Sequence, residues 1–358
     1  MGRLAEALLH AGCAVEVATA SRPHERWRRV LDLWDPGARR AMRHTIAAFQ
    51  PDVVHYHNIL NELSSSVVGL GVPSVVTVHD PRLVGIRFGP DQDDPPWKPV
   101  VVFRSAKNRL ARIRLRRSVS ATIAPSAALS ERLVAAGFPA VHHIENFAPR
   151  IDPGPLGPDV AFVGALQPHK GPQVLLAAWE LIAARHPAST LCFVGDGPLR
   201  STILTRAEVS GLAGQVRLLG RVEPADVAAQ LGSAALVVVP SLGVEGGGPT
   251  LAVIEAMAAG RPVVVTDRPG VSEGVDASVG AVVPAGDAAA LARAVDAMLG
   301  DRARLSSLGE NAASRAEERW DPGLAAARVM AVYEDLLAMS DHRRPTRRGR
   351  RSRRLPSG

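Results

Sequence analysis

The stretch from Val237 to Thr266, VVVPSLGVEGGGPTLAVIEAMAAGRPVVVT, holds the residue types from which an anion site is built. Val237 to Val239 is a β-branched run of the buried-strand kind, and Pro240-Ser241 ends it. Gly246, Gly247 and Gly248 carry no Cβ, which opens their backbone N–H groups to close approach by a ligand. Pro249 suits the first position of a helix, because it has no N–H to leave unpaired. Leu251, Ile254, Ala258 and Ala259 give that helix an apolar stripe, Gly260 stops it, and a strand to Thr266 follows. A glycine loop feeding a helix N-terminus attracts phosphate through its N–H groups and the helix dipole together. Glu255 lies one or two turns into the helix. It would repel a phosphate, but it suits a diol such as ribose, whose hydroxyls donate to a carboxylate. Phosphate plus ribose spells a nucleotide. The plainer reading is a tight strand-to-helix turn with a solvated glutamate.

Other polar groups fall where strands end. Val53 to Tyr56 reads as a strand followed by His57-Asn58, and Val75 to Val78 as a strand followed by His79-Asp80. Open parallel α/β sheets bind ligands just past the carboxyl ends of their strands, and both histidines meet that positional test. A histidine in a surface loop is the alternative. Lys170 follows the strand Val160 to Val163, and it is one of only three lysines, with Lys98 and Lys107. In a chain so rich in Arg, Ala and Gly, a lysine kept inside a motif is hard to dismiss as drift. Asp91-Gln92-Asp93 spells a DxD, but no apolar strand leads into it and two prolines follow. It reads as a solvated loop, and no metal site is expected.

Behind these residues lie 358 residues that are 46% hydrophobic, enough for two α/β domains. No window approaches the roughly 20 apolar residues of a membrane span, and no signal peptide is read. Cys13 and Cys192 sit in or beside apolar strand patterns, so reduced thiols and a cytoplasmic site are expected. The net charge is +7, and the tail from Asp341 onward holds eight Arg against one Asp, so the body is close to neutral.

In order, a helix over Met1 to Ala11 precedes a strand over Val15 to Thr19. A basic helical segment runs from Arg26 to Phe49, and a helix is expected near Leu63 to Gly69. Phe103 to Val119 is a basic helix with a thin apolar face of Phe103, Ala106, Leu110, Ile113 and Val119. It suits an anionic membrane surface or an anionic acceptor, and equally a solvated surface face. Ala121 to Ala124 and Val141 to Ile144 are strands, with a helix ending at Ala136 between them. The Pro- and Gly-rich run from Ile151 to Pro158 is the expected linker.

The second half alternates again. Strands are expected over Val160 to Val163, Thr190 to Val194, Val216 to Leu218, Leu236 to Val239, Pro262 to Thr266 and Gly280 to Val283. Helices fall over Val174 to Arg185, Leu199 to Val209, Ala225 to Gly232, Pro249 to Ala259 and Ala288 to Leu299. This is the pattern of a parallel sheet covered on both faces. Leu324 to Met339 is a last helix, placed to pack back on the first domain, and the Arg-rich tail is expected to be disordered. The expected division is 1–150, 151–323, a helix over 324–340 and a tail over 341–358.

Five motifs together resemble the family-4 retaining glycosyltransferases. That resemblance implies the GT-B fold: two Rossmann-like parallel-sheet α/β domains facing across a cleft, with a C-terminal helix crossing back. It runs from about Gly2 to Tyr333. Phe162 to Gly171, with Gly164 and Lys170, is similar to the loop whose lysine holds the donor diphosphate. Val194 to Leu199, with Gly195 and Gly197, resembles the second glycine turn, and Leu219 to Val222, with Arg221 and Val222, the turn beside the base. Pro240 to Ala259 resembles the glutamate-pair motif, which assigns Gly247, Gly248, Pro249, Thr250, Leu251 and Glu255 to the donor. Val76 to Asp80 is similar to the strand bearing the active-site histidine, here His79. Asp52 to Asn58 resembles a pattern in members acting on lipid-linked or polysaccharide acceptors, which puts His57 and Asn58 on the acceptor side.

The chain departs from the family in three places. Glu245 and Glu255 stand further apart than the family's pair, and Gly247 occupies the usual place of the first glutamate. Either a longer loop lets Glu245 reach back, or backbone N–H groups make the sugar contact. Ala165 replaces a common arginine, which leaves more of the diphosphate charge to Lys170. The family opens with a strand and glycine loop ahead of its first helix, and the sequence opens inside that helix, so the natural chain is expected to be longer.

The resemblance implies transfer of a sugar from a nucleotide diphosphate sugar to a hydroxyl acceptor of a glycolipid, polysaccharide or small glycoside. Anomeric configuration is retained and neither metal nor cofactor is needed. Lys170, the glycine loop and the helix dipole would neutralise the leaving diphosphate, Glu255 would grip the ribose, and His79 and Glu245 would attend the donor sugar. A sugar-nucleotide 2-epimerase and a non-catalytic nucleotide-sugar-binding partner at the membrane are the alternatives. The Arg-rich tail offers an anionic inner membrane face about 1 kcal/mol of attraction per Arg, but the plainer reading, a disordered end of biased composition, is preferred. No specific nucleic-acid partner is read.

Overall fold

The computed structural model describes residues 2–19, 34–57, 59, 64–79, 81–85, 95, 97–243 and 248–343. Asn58, the Asp91-Gln92-Asp93 triplet, Glu245, Gly246, Gly247 and the tail beyond Arg343 lie outside them. Two sheets organise the chain, and every strand pair in them is parallel. The first contains β1 (Val54–His57), β2 (Ser74–Thr77), β3 (Ala121–Ala124) and β4 (Val141–His143), in that order across the sheet.

The second contains β5 (Val160–Val163), β6 (Leu191–Val194), β7 (Val216–Gly220), β8 (Leu236–Val239), β9 (Val263–Thr266) and β10 (Gly280–Val283). Its order is β10-β9-β8-β5-β6-β7. The chain therefore grows outward from β5 in one direction and, from β8, in the other. The reversal between β5 and β8 is the topological switch point, where open α/β sheets leave a crevice.

β8 and β9, LVVV and VVVT, are buried at every position, as strands covered on both faces must be. One face is covered by α5 (Pro172–Ile182), α6 (Arg200–Val209) and α9 (Ala288–Leu299), around Trp179, Phe162 and Phe193. The other is covered by α7 (Pro224–Ser233), α8 (Leu251–Ala258) and α10 (Arg302–Trp320), around Ile254, Met257 and Trp320. In the first sheet, α3 (Pro99–Ser118) and α4 (Ala127–Ala135) cover one face. A further helix, α2 (Pro36–Phe49), adds the half-buried Ala38 and Met42 to that side. The opposite face is covered by α1 (Gly2–His10) and by α11 (Pro322–Arg343), which brings Ala326, Val329, Val332 and Leu336 against Val75, Ala121 and Ile123. Val329, Val332 and Leu336 each contribute about 1.5–3 kcal/mol on full burial, which holds the last helix across the first sheet.

Several expectations change. Val15 to Thr19 is not a strand, because a strand exists only through a neighbour's ladder bonds and these residues have none among the described ones. The helix expected near Leu63 to Gly69 is a single 3-10 turn over Ser65–Val67. Pro249 is not helical: α8 starts at Leu251, capped by the Thr250 hydroxyl accepting from Val253 N. The basic helix starts earlier, at Pro99, and buries Val101, Ala111 and Leu115, leaving Phe103 and Leu110 exposed. The 19-residue α10 was not expected at all.

Candidate functional site

Two loops flank the switch point. One leaves β5 and turns through Pro168–Lys170 into α5. The other leaves β8 at Pro240 and reaches Gly248, Pro249 and the cap of α8, with residues 244–247 between outside the described set. They are joined by main-chain bonds from Leu242 N and Gly243 N to His169 O, at 2.8 and 3.3 Å. Gly171, at φ 72°, sits so close to the Pro240 carbonyl that no Cβ fits. Lys170 is thus half-buried on a turn fixed against the β8 loop.

The other glycine turns support this pair. Gly164 N donates to Val194 O, Leu166 N to Asp196 O and Gly195 N to Gly220 O, at 3.0, 3.0 and 2.8 Å. A Cβ at Gly195 or Gly197 would overlap the carbonyls of Gly164 and Leu166. The amides of Gly164 and Gly195 are therefore occupied inside the protein, and so is that of Gly197, bonded to its neighbour Asp196 at 2.8 Å. What these glycines supply is close packing of the turns. Arg221, exposed, and Val222, half-buried, follow β7, two strands away from β5.

Residues of the first sheet complete the crevice. Gly248, at φ 96°, faces the Pro125 carbonyl oxygen just past β3 with no room for a Cβ. Asn146, after β4, donates to Pro249 O at 3.2 Å. Thr250 N donates to Gly270 O at 2.9 Å, and Leu251 is exposed at the first turn of α8. Glu255 is buried on α8, and its Oε1 accepts from Arg3 Nη1 of α1 at 2.6 Å. One carboxylate oxygen of the expected ribose ligand is thus held by a cation from the other sheet.

The histidines form a row. His55 and His57 share a face of β1, and His57 pairs in register with Thr77 of β2. His57 Nδ1 lies 3.2 Å from His79 Nε2, while His55 bonds Tyr333 Oη through Nδ1 and Thr77 Oγ1 through Nε2, both at 2.7 Å. Burial pushes the imidazole pKa values down, aided by the neighbouring imidazoles, to about 3 at His55 and about 2 at His57. Burial lowers His79 as well. All three rings are neutral, hydrogen-bonding groups.

Glu145, next to this end of β4, is anchored by Arg319 through two bonds of 2.8 and 2.6 Å and by the Trp320 indole at 3.0 Å. Burial would raise its pKa, but these donors and the Arg319 charge hold it below the ordinary carboxylate value.

The structure fixes the turn that bears Lys170 against the loop leaving β8, and brings His57 to His79. Sequence reasoning missed Arg3, Asn146, His55 and Tyr333. His55 alone carried a signal, the i, i+2 spacing from His57 that places both on one strand face. Among the described residues no group of His, Cys, Asp or Glu could hold a metal ion, and no helix is long and apolar enough to cross a membrane.

With that geometry in view, the likenesses to known proteins are specific. Residues 1–149 match the model described as Glycosyltransferase Family 4, and residues 157–301 that described as Glycosyl transferases group 1. A phosphatidyl-myo-inositol mannosyltransferase of Mycobacterium leprae is 31% identical over 310 residues, spanning 84% of this chain and 78% of the relative. A D-inositol 3-phosphate glycosyltransferase of Corynebacterium kroppenstedtii is 32% identical over 191 residues, 51% of this chain and 42% of the relative. The sucrose-phosphate synthase of Thermosynechococcus elongatus superposes with a TM-score of 0.73 at 21% identity, covering 94% of this chain and 92% of that one. Anabaena HepE, solved with UDP and glucose, gives 0.66 at 21% identity, covering 91% and 88%. The fold is GT-B.

Proposed function

The chain belongs to the family-4, group 1 glycosyltransferases, enzymes that move a sugar from a nucleotide sugar to an acceptor, and we propose that its donor diphosphate lies in the crevice between β5 and β8. The observation that carries this reading is the pairing of two loops at the one reversal of strand order in the second sheet. One bears Lys170, and the other leads through Gly248 to the N-terminus of α8. A leaving diphosphate needs charge stabilisation above all, and a fixed ammonium with a helix N-terminus supplies it without reorganisation.

In this reading Glu255 accepts from the ribose hydroxyls through the oxygen that Arg3 leaves open. Residues 1–150 present the acceptor and residues 151–323 hold the donor. His79 faces the donor sugar. Attack comes from the side the diphosphate leaves, the phosphate takes the acceptor proton, and configuration is retained. No metal enters. Gly164, Gly195 and Gly197 act by packing the phosphate loops, and Arg221 and Val222 border the base.

The acceptor is a hydroxyl of a lipid-linked polyol, in keeping with the inositol compounds in the relatives' names. It is met at an anionic inner membrane face through α3. Val102, Phe103 and Leu110 are exposed there beside Arg104, Lys107 and Arg109, and Trp97, just ahead of the helix, is 77% exposed.

The test is Lys170→Ala, measured as release of nucleoside diphosphate from a panel of UDP- and GDP-sugars with lipid extract. Transfer is lost while the far-UV spectrum and Tm stay as in the wild type. Full activity in the variant refutes the assignment.

A further inference from the structure

His57 was expected to touch the acceptor. Its surroundings describe a further task. Its Nδ1 is 3.2 Å from Nε2 of His79, with ring centroids 5.5 Å apart and planes 22° apart. On its other side the His55 ring lies 4.3 Å away, inclined by 30°. His55 is itself tied at both nitrogens, by Tyr333 of α11 and Thr77 of β2. His57 thus has a fixed wall behind it and His79 in front.

We propose that His57 is a positioning residue: through its Nδ1 it holds Nε2 of His79 in a hydrogen bond, and so fixes the direction in which the His79 ring presents its Nδ1 to the donor sugar. The inference rests on the reading of His79 as facing that sugar. A neutral imidazole has one donor and one acceptor nitrogen. A single proton therefore lies between His57 Nδ1 and His79 Nε2, and its side decides whether Nδ1 of His79 donates or accepts. A sugar hydroxyl both donates and accepts, so it can meet either state of the pair provided the His79 ring is held in place. The chain Tyr333–His55–His57–His79 also explains why α11 reaches across the first sheet with a tyrosine at this point: it holds the first ring of the stack.

The test compares His57→Leu, which removes the bond, with His57→Asn, whose side-chain amide places a donor and an acceptor near the former Nδ1. With the UDP- or GDP-sugar selected by the donor panel, Leu lowers kcat roughly 10–100-fold, the size of loss seen when a metal-bound histidine loses its outer hydrogen-bond partner. KM for donor and acceptor changes less than about threefold, and Asn recovers most of kcat. Independently of activity, 15N NMR of the ligand-free chain shows His79 Nε2 hydrogen-bonded in the wild type and in the Asn variant, and free in the Leu variant. An unchanged kcat, a rise in acceptor KM alone, failure of Asn to rescue, or the same His79 Nε2 resonance in all three chains overturns the proposal. His79→Leu separates the two readings. An active His79→Leu chain refutes the parent assignment, whereas an inactive one beside a fully active His57→Leu chain refutes only the role of His57.

Discussion

Replacing Gly248 by alanine tests how closely the two sheets must meet. The residue sits at φ 96°, and an added Cβ would lie 1.9 Å from the Pro125 carbonyl oxygen and 2.6 Å from its carbon. Ordinary contact begins at 3.4 Å, so the loops must part by about 1.5 Å. Backbone cannot turn aside as a flexible side chain can. The left-handed φ adds about 1–2 kcal/mol for any residue with a Cβ. A misplacement of about 1 Å in a reacting site costs on the order of 10²-fold in rate, so kcat/KM falls at least ~100-fold. The strain alone lowers Tm only by several degrees, at roughly 2–4 °C per kcal/mol in a chain of some size. Gly211→Ala is the control: φ is 68°, and nothing lies within 4 Å of its added Cβ. It carries left-handed strain, milder than at Gly248, with no overlap, and lies outside the crevice. Nucleoside diphosphate release and thermal melts of both variants read the two effects. Wild-type kcat/KM in Gly248→Ala, or an equal loss in Gly211→Ala, refutes the reasoning.

Three further outcomes follow from the same geometry. Arg3→Ala leaves the buried Glu255 carboxylate without its cation, at a cost of about 1–3 kcal/mol, the lower end being expected for a guanidinium as exposed as this one; a Tm unchanged within about 1 °C shows that the pair carries nothing. His55 and His57 bind protons in the unfolded chain below about 6.5, but in the folded chain only near 3 and 2. Their neutral burial is therefore without cost above pH 6.5, and stability is lost as pH falls below it, by at most about 1.4 kcal/mol per pH unit for each ring. Denaturant melts between pH 6.5 and 4.5 show this slope, His57→Leu flattens it, and a flat wild-type profile contradicts it. Val102→Glu with Phe103→Glu weakens flotation with anionic vesicles and leaves release of nucleoside diphosphate to a soluble acceptor intact; unchanged flotation removes α3 from the membrane reading.

Much of the second sheet is legible in the sequence, because strands buried on both faces must be short apolar runs. β5, β8, β10 and α9 fall on the expected residues. α10 was missed because its buried stripe includes Gly309, Ala312 and Ala316, small residues with little hydrophobic signal. Its Asp301 cap was the available cue, accepting from Arg304 N at 2.9 Å. Pro249 was misplaced because Thr250, which follows it, is the better cap. The lysine turn and the start of α8 were visible as motifs. The partners of His79 and Glu255 were not. His57 reaches His79 through the register of β1 on β2, and Arg3 reaches Glu255 across 252 residues, neither of which a periodicity records.

The second sheet's switch point is the proposed seat of the diphosphate. A structure of the chain with UDP or GDP bound tests it directly. Phosphate oxygens are expected within about 3 Å of Lys170 Nζ, facing the first turn of α8, with the ribose hydroxyls on Glu255. A diphosphate bound elsewhere, or a Lys170 ammonium turned out of the crevice, contradicts it.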